Sequence, residues 1–193
     1  MNYNFFTKLH RQSKGFTLVE TLVAISIFTV SILALMVVLT KSISDTNYAK
    51  QKIIAGYLAQ EGVEYMRNLR DTYVLYEATG QAGWDTFVSR LAGASCDTSG
   101  CYFDSQNIDY TSSLQPMTSL DLYACDVTSC PVLAYDSLSG AYGYMPGPNS
   151  GFVRKINVVQ SANQIRIVST VYWEQNSGTY NISMSETLFN WVE

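Results

Sequence analysis

The chain has 193 residues, about the length of one domain, with 47% apolar and only 15% charged residues. With 13% aromatic residues it can bury enough apolar surface to fold, so its composition excludes an intrinsically disordered protein. The 12 glycines and 4 prolines show no period, which excludes a collagen-like repeat.

The charges are unevenly distributed along the chain. Residues 1–15 contain the basic residues Lys8, Arg11 and Lys14 and no acidic residue. The remainder holds all 16 acidic residues against nine of the 12 basic ones, and an acidic body repels the phosphates of a nucleic acid. We therefore find no strong nucleic-acid signal, and the basic N-terminal segment is typical of a targeting signal.

Residues 16–40 form a long apolar run in which Glu20 is the single charged residue. As a helix, this run extends about 37 Å, which is enough to cross a hydrocarbon core of about 30 Å. The basic residues before it predict a cytoplasmic N-terminus and an exported C-terminal body. A cleaved secretory signal fits poorly, because its apolar core has about 7–15 residues. The run alone thus predicts an uncleaved N-terminal anchor.

The junction between the basic segment and the apolar run reads KGFTLVE, from Lys14 to Glu20. This pattern resembles the class III signal of type IV prepilins and pseudopilins. The resemblance implies that a membrane peptidase cleaves after Gly15 and N-methylates Phe16, the new first residue. It also implies that Glu20 pairs with the terminal amine of a neighbouring subunit during filament assembly. An ammonium and a carboxylate in lipid stabilise each other, which agrees with this role.

The same resemblance implies the partners and the location of the protein. The partners are the prepilin peptidase/methyltransferase, other pilin subunits, the inner-membrane assembly platform and membrane lipid. The chain is expected in the bacterial cytoplasmic (inner) membrane as a single-pass protein with an exported head, and then in a pilus or pseudopilus.

No proline precedes Pro116, so the helix is predicted to continue beyond the membrane as an amphipathic segment over residues 41–73. Its predicted apolar face is formed by Ile43, Ile54, Tyr57, Leu58, Tyr65 and Leu69. Its predicted solvent face contains Lys52, Gln60, Arg67 and Arg70. Glu61 falls within the apolar arc and either reaches the rim or contacts a neighbouring subunit. Gly56 and Gly62 mark either a bend or close packing.

Residues 74–193 are predicted to form a globular head. It begins with a loop over 74–83 and a short helix over 84–91, in which Trp84 anchors the core. Two C-x4-C motifs follow, formed by Cys96, Cys101, Cys125 and Cys130. Zinc ligation and disulfides are both compatible with this spacing, but an exported head favours disulfides, and the similarity of the two loops favours pairing within each motif. The stretch 102–124 lacks periodicity and is predicted to be rich in loops.

The C-terminal part changes to a period of two, which is typical of strands. Val132–Tyr135 and Ala141–Tyr144 predict a hairpin, and the segments Phe152–Val159, Gln164–Glu174 and Thr179–Phe189 predict an antiparallel meander. One face of this sheet is expected to cover the amphipathic helix. A small basic patch on neighbouring strands consists of Arg154, Lys155 and Arg166. It is predicted to lie on a solvated sheet face, and the alternative is a contact with DNA or a partner.

Motifs that carry enzymatic chemistry are missing from the sequence. His10 is the single histidine and lies in the predicted leader, so the mature chain has no nucleophile–histidine pair. No phosphate loop, dinucleotide fingerprint or histidine-based zinc motif occurs. We therefore predict that the protein is not an enzyme and that it has neither a cofactor nor a metal site.

The predicted fold class is α+β and pilin-like, with a long N-terminal helix packed on an antiparallel β-sheet head. The predicted segments are a leader over 1–15, a transmembrane helix over 16–40, its amphipathic continuation over 41–73 and the head over 74–193. The C-terminal strands, which end in Tyr-Trp-Glu and Leu-Phe-Asn-Trp, resemble minor pilins of the PilV-like group.

The predicted function is that of a structural subunit, a minor pilin of a type IV pilus-like filament. One alternative is a pseudopilin of a type II secretion or DNA-uptake system. Another is a membrane-anchored binding or adhesion module that does not polymerise.

Overall fold

The structure is a computed structural model that describes residues 15–104, 122–144, 147–161, 163–176 and 178–190. The chain divides into two compact units, Met1–Asn47 and Tyr48–Glu193. Helix α1 (Leu18–Tyr76) is followed by helix α2 (Gly80–Gly93) and then by strands. The strands of the described residues are β1 (Cys101–Phe103), β2 (Leu122–Ala124), β3 (Val132–Tyr135), β4 (Tyr142–Gly143), β5 (Asn149–Ser161), β6 (Gln164–Gln175) and β7 (Gly178–Phe189).

The strands form one antiparallel sheet, which confirms the predicted α+β fold class. β6 pairs with β5 along one side and with β7 along the other, and this is the predicted meander. The other side of β5 pairs with β1 at Ile156 and with β3 at Val153. The predicted hairpin is formed by β3 and β4. β1 and β2 lie at the two ends of the predicted loop-rich stretch, whose central residues 105–121 are outside the described residues, as is the predicted leader up to residue 14.

The core of the unit Tyr48–Glu193 lies between the sheet and the part of α1 that belongs to this unit. Alternate residues of β6 face the helix and are buried, as the period of two predicts: Ile165, Ile167, Ser169, Val171 and Trp173. From α1 the buried residues are Ala55, Leu58, Ala59, Gly62, Val63, Tyr65, Met66, Leu69, Arg70 and Tyr73. Trp84 of α2 is buried in the same core, which confirms its predicted role.

The predicted apolar face of α1 is partly wrong. Ile43 and Tyr57 are 64% and 70% exposed, whereas Ala59 and Gly62 lie against the sheet. The reason is that the backbone of the helix itself lies close to the sheet. A Cβ atom on Gly62 would collide with the Oγ atom of Ser169, which shows how close this approach is. Of the two readings for Gly62, close packing is therefore correct.

Two arginines that were predicted on the solvent face of α1 instead make ion pairs. Arg70 is buried, and its Nε atom lies 2.5 Å from Oδ1 of Asp71. Arg67 is half-buried and donates to Oε2 of Glu64 at 2.7 Å and to Oε1 of Glu186 in β7 at 3.1 Å. The hydrogen bond to Glu186 raises the pKa of Arg67 above its ordinary value. The structure confirms exposure for Lys52 and Gln60.

The predicted loop over 74–83 is shorter than expected, because α1 ends at Tyr76 and α2 already begins at Gly80. Thr79 caps α2, since its Oγ1 atom accepts a hydrogen bond from the N–H group three residues later at 3.2 Å. Gly83, which indicated a loop in the sequence, lies inside α2. The position is a glycine because α2 passes so close to α1 that a Cβ atom there would collide with the backbone of α1.

Candidate processing and assembly site

The predicted cleavage site lies immediately before α1. Gly15, Phe16 and Thr17 precede the first helical residue, Leu18, and all of them are exposed. Thr17 caps the helix, because its Oγ1 atom accepts a hydrogen bond from the N–H group of Glu20 at 3.3 Å. Apart from its chain neighbours, none of the described residues has an atom within 4 Å of a Cβ atom placed on Gly15.

The first part of α1 exposes a long apolar surface. An 18-residue window of the helix has a mean hydropathy of 2.9, and none of it is buried within the chain. Among the described residues, α1 is the one helix long and apolar enough to cross a membrane, a criterion that a signal sequence near an N-terminus also meets. A soluble monomer rarely exposes such a surface, so it needs lipid or the apolar surface of another chain as its environment.

The hydroxyl groups of the apolar run are satisfied within the helix. Five of them donate to carbonyl oxygens three or four residues earlier at 2.7–2.9 Å, and they belong to Thr21, Ser26, Thr29, Ser31 and Thr40. These bonds remove most of the cost of burying the hydroxyl groups in an apolar environment. The carboxylate of Glu20, in contrast, has no ion-pair partner among the described residues.

Glu20 stands in the first turn of α1. The free N–H groups at a helix N-terminus stabilise a negative charge by about 0.3–1 kcal/mol. A charged residue at the centre of a transmembrane helix costs about 2.5–3.5 kcal/mol, which is an upper limit for a residue near the end of the span. An ammonium group close to the same end of α1 is a partner that would compensate the remaining cost.

The head contains two disulfides, Cys96–Cys101 and Cys125–Cys130, which are the pairs within each motif that the sequence favours. All four cysteines are buried. The two loops lie side by side and are joined by a hydrogen bond, in which the N–H group of Cys125 donates to the carbonyl oxygen of Gly100 at 2.9 Å. With their sulfur atoms bonded in pairs, these cysteines offer no thiolates to zinc, which binds deprotonated cysteine.

We expect that no thiol of the exported protein reacts with a maleimide before reduction, and that all four react after unfolding in the presence of a reductant. The physical reason is that each sulfur is bonded and buried. Mass spectrometry of the labelled full-length chain measures the number of adducts. Adducts in the unreduced protein, or stoichiometric zinc in an elemental analysis, would contradict this expectation.

The structure buries a charge that the sequence analysis placed in solvent. Arg154 of β5 is 0% exposed, and its Nη1 atom donates to Oε2 of Glu61 at 2.9 Å. Its guanidinium also lies 4.0 Å from the centre of the Phe103 ring. The predicted solvated position of Arg154 is wrong because β5 alternates, and Arg154 shares the buried face with Phe152 and Ile156. Glu61 is thus held within its own chain, which the sequence analysis did not foresee.

Lys155 was also predicted to be solvated, and it is nearly buried on the other face of β5. Its ammonium lies 3.5 Å from Oδ1 of Asp126, and Gly100, with φ of +110°, leaves room for its aliphatic part. The hydrogen bond from the N–H group of Val127, and next the one from Lys155, hold the pKa of Asp126 below its usual value. Of the predicted basic patch, Arg166 is exposed as expected.

Comparison with known proteins supports the reading of the N-terminal segment. Residues 10–39 match the family model described as the prokaryotic N-terminal methylation motif, which is the signal of type IV prepilins. This match includes Gly15, Phe16 and Glu20 and confirms the resemblance seen in KGFTLVE. No curated protein and no solved structure matches the chain. The chain therefore carries the signal of subunits that are processed like type IV pilins and pseudopilins.

Proposed function

We propose that the chain is a structural subunit, a minor pilin, of a type IV pilus-like filament assembled from the bacterial inner membrane. The observation that carries the proposal is the methylation motif over residues 10–39. In this proposal the prepilin peptidase cleaves between Gly15 and Phe16 and N-methylates Phe16. The role of the protein is structural rather than enzymatic, and its partners are other pilin subunits and the inner-membrane assembly platform.

Two properties of α1 support assembly through its first part. Its exposed apolar surface suits lipid before assembly and the helices of neighbouring subunits afterwards. Cleavage before Phe16 creates an ammonium group at the end of α1 that also carries Glu20. In a filament, the ammonium of one subunit neutralises the Glu20 carboxylate of the next, so neither charge stays unpaired in an apolar interior.

The intact mass of the exported protein tests the proposed processing. After reduction of both disulfides, we expect a chain that begins at Phe16 and is heavier by one CH₂ unit than the unmodified sequence 16–193, because a methyl group replaces one hydrogen. A chain that begins at Met1 would identify an uncleaved membrane anchor and would contradict the proposal.

Fractionation of cells separates the pilus subunit from the two alternatives. The proposal expects the processed chain in the filaments that shearing removes from the cell surface. A processed chain that stays entirely in the membrane fraction would favour a pseudopilin of a type II secretion or DNA-uptake system. An unprocessed chain in that fraction would favour a binding or adhesion module that does not polymerise.

We expect Gly15→Leu to abolish cleavage and to leave a full-length precursor in the membrane. A glycine lets the backbone at the scissile bond approach the peptidase closely, and a leucine side chain prevents this approach. Within the part of the chain that the structure describes, the substitution disturbs no packing contact, because a Cβ atom on Gly15 meets nothing there within 4 Å. Gly93→Leu is the matched control, since Gly93 at the end of α2 is equally open. A gel shift measures trimming, and normal trimming of Gly15→Leu would refute the assigned site.

A further inference from the structure

β7 presents a long row of unpaired backbone groups at an edge of the sheet. It pairs with β6 from Gly178 to Phe189 in unbroken register, and no strand of the described residues pairs with its other side. One step beyond the pair of Gln164 with Phe189, the N–H group of Asn190 donates to the carbonyl oxygen of Asn163 at 2.9 Å, so these two residues occupy a hydrogen-bonded position of the antiparallel ladder. The even-numbered residues of β7 therefore bond to β6. The N–H and C=O groups of the odd-numbered residues between 179 and 187 point away from the sheet.

The sequence of β7 lacks the usual features that protect an edge strand. Natural sheets protect their edges with proline, lysine, a bulge or a charge that repels a further strand. β7 has no proline, no lysine and no break in its register with β6. Its one charged residue, Glu186, is neutralised by Arg67, whose Nε atom donates to it at 3.1 Å. The edge is thus chemically open to pairing with a further strand.

Gly56 of α1 is a second feature that the fold of the single chain does not explain. A glycine inside a helix costs about 1 kcal/mol relative to alanine. Gly62 is required by the approach of Ser169, but a Cβ atom on Gly56 would make only an ordinary contact, 3.8 Å from Cδ1 of Ile182 in β7. The absent side chain at Gly56 therefore leaves only a small gap on α1 beside Ile182 of β7, on the helix side of the sheet, and this gap is the room beside Gly56.

The side chains around this room define what fits there. Tyr180 and Met184 are 38% and 36% exposed, although they lie in the even-numbered row of β7 that faces α1. Lys52, one turn before Gly56, is exposed, and its ammonium has no ion-pair partner among the described residues. The opposite face of β7 is polar except for the exposed Phe189 at its end, and its polar residues are Thr179, Asn181, Ser183, Ser185 and Thr187. A matching segment is extended, apolar on one face, polar on the other, and acidic where it reaches Lys52.

We infer that the free edge of β7 and the room beside Gly56 form a docking groove for an extended strand of a neighbouring, non-identical subunit. A second copy of this chain fits less well, because its other edge strands in the described residues, β2 and β4, have three and two residues. A second β7 brings only Glu186, which is already bound to Arg67 and so does not serve Lys52. The inference rests on the proposed function, since that function supplies the neighbouring subunit.

Residue-resolved amide hydrogen exchange of the processed protein tests this docking. It compares the detergent-solubilised monomer with the sheared filaments. In the monomer, the even-numbered amides of β7 exchange slowly and the odd-numbered amides between 179 and 187 exchange fast. In filaments we expect the odd-numbered amides to slow about tenfold or more.

The outcomes of this experiment separate the docking groove from the proposed function. Fast exchange of the odd-numbered amides in filaments would overturn the groove and leave the pilin role intact. Slowing in the purified chain alone, as its concentration rises, would identify a second copy as the occupant and overturn the inferred partner. Absence of the chain from filaments would contradict the proposed function, and with it the partner inferred from that function.

Two substitutions test the groove from its two sides. Asn181→Pro removes an outward N–H group without removing a bond to β6, whereas Asn181→Thr keeps that N–H group and is the matched control. Gly56→Leu fills the room beside β7 with a good helix former.

We expect Asn181→Pro and Gly56→Leu to be processed normally, but their amount in filaments should fall about tenfold. The amount of Asn181→Thr in filaments should be unchanged. If Asn181→Pro fails to fold, Gly56→Leu decides, and its incorporation at the wild-type level would overturn the inference.

Discussion

Glu20→Val is expected to insert into the membrane and to be cleaved after Gly15, yet to be absent from the filament fraction. Removal of one partner from a buried ion pair leaves the other charge buried alone, which costs about 3–5 kcal/mol. Such a loss lowers incorporation by about two to four orders of magnitude at equilibrium. Insertion itself is not impaired, because valine is easier to bury in lipid than a carboxylate.

Two further variants show whether the charge of Glu20 is responsible. Glu20→Asp keeps the carboxylate on a shorter side chain, so we expect partial incorporation. Thr21→Val is the matched control, because it also introduces valine but removes only a hydroxyl group that bonds to the carbonyl oxygen of Leu18 within the helix. Sheared filaments and membranes from cells producing each variant are compared by immunoblotting. Glu20→Val in filaments at the wild-type level would refute the assembly role of Glu20, although the chain would still be a filament subunit.

The local patterns of the sequence predicted the meander and the continuous helix well. β6 illustrates why, because every second residue from Ile165 to Trp173 faces the helix, and such a row determines which face of the strand is buried. The helix continued because no proline interrupts it, and α1 reaches Tyr76 without a break. These features depend on neighbours in the chain, which a sequence displays directly.

The buried face of α1 was harder to predict, because it depends on how closely two elements approach. Of the large residues from which the apolar arc was assigned, Leu58, Tyr65 and Leu69 are buried as predicted. The helix also packs on the sheet through the small residues Ala55, Ala59 and Gly62, which the arc did not include. Only the facing Ser169 explains why position 62 must be glycine. Tyr57, which looked like a core residue on the helical wheel, lies on the far side and is exposed.

The pair formed by Glu61 and Arg154 was missed for a related reason. Each residue alone carried a signal, since Glu61 lies in an apolar arc and Arg154 alternates with Phe152 and Ile156. The two positions are 93 residues apart, and nothing in the local pattern indicates that α1 and β5 bring them together. A charged residue on a buried face predicts that a partner of opposite charge exists, but it does not identify that partner. Here the partner lies in the same chain.

The geometry of this pair predicts that its two members respond differently to substitution. Arg154 is fully buried, whereas the side chain of Glu61 is 38% exposed. Glu61→Leu removes the counter-charge and leaves a guanidinium buried without it. Arg154→Met leaves a carboxylate that can turn into water. Glu61→Leu is therefore expected to destabilise the head more than Arg154→Met does.

The expected magnitudes follow from the same asymmetry. Glu61→Leu should lower the free energy of unfolding by about 3 kcal/mol, the lower end for a broken buried pair, because water screens the exposed part of Glu61. Arg154→Met should lower it by about 1–2 kcal/mol, mainly through the lost contact between the guanidinium and the Phe103 ring.

The double variant Glu61→Leu with Arg154→Met provides the decisive comparison. It should be close to the wild type in stability, because apolar side chains replace both charges and no charge remains buried. Urea unfolding of the full-length chain in detergent measures all three variants, with the fluorescence of the buried Trp84 and Trp173 as the probe. If the losses of the single variants simply add in the double variant, the two side chains are not coupled, and the ion pair does not hold α1 against β5.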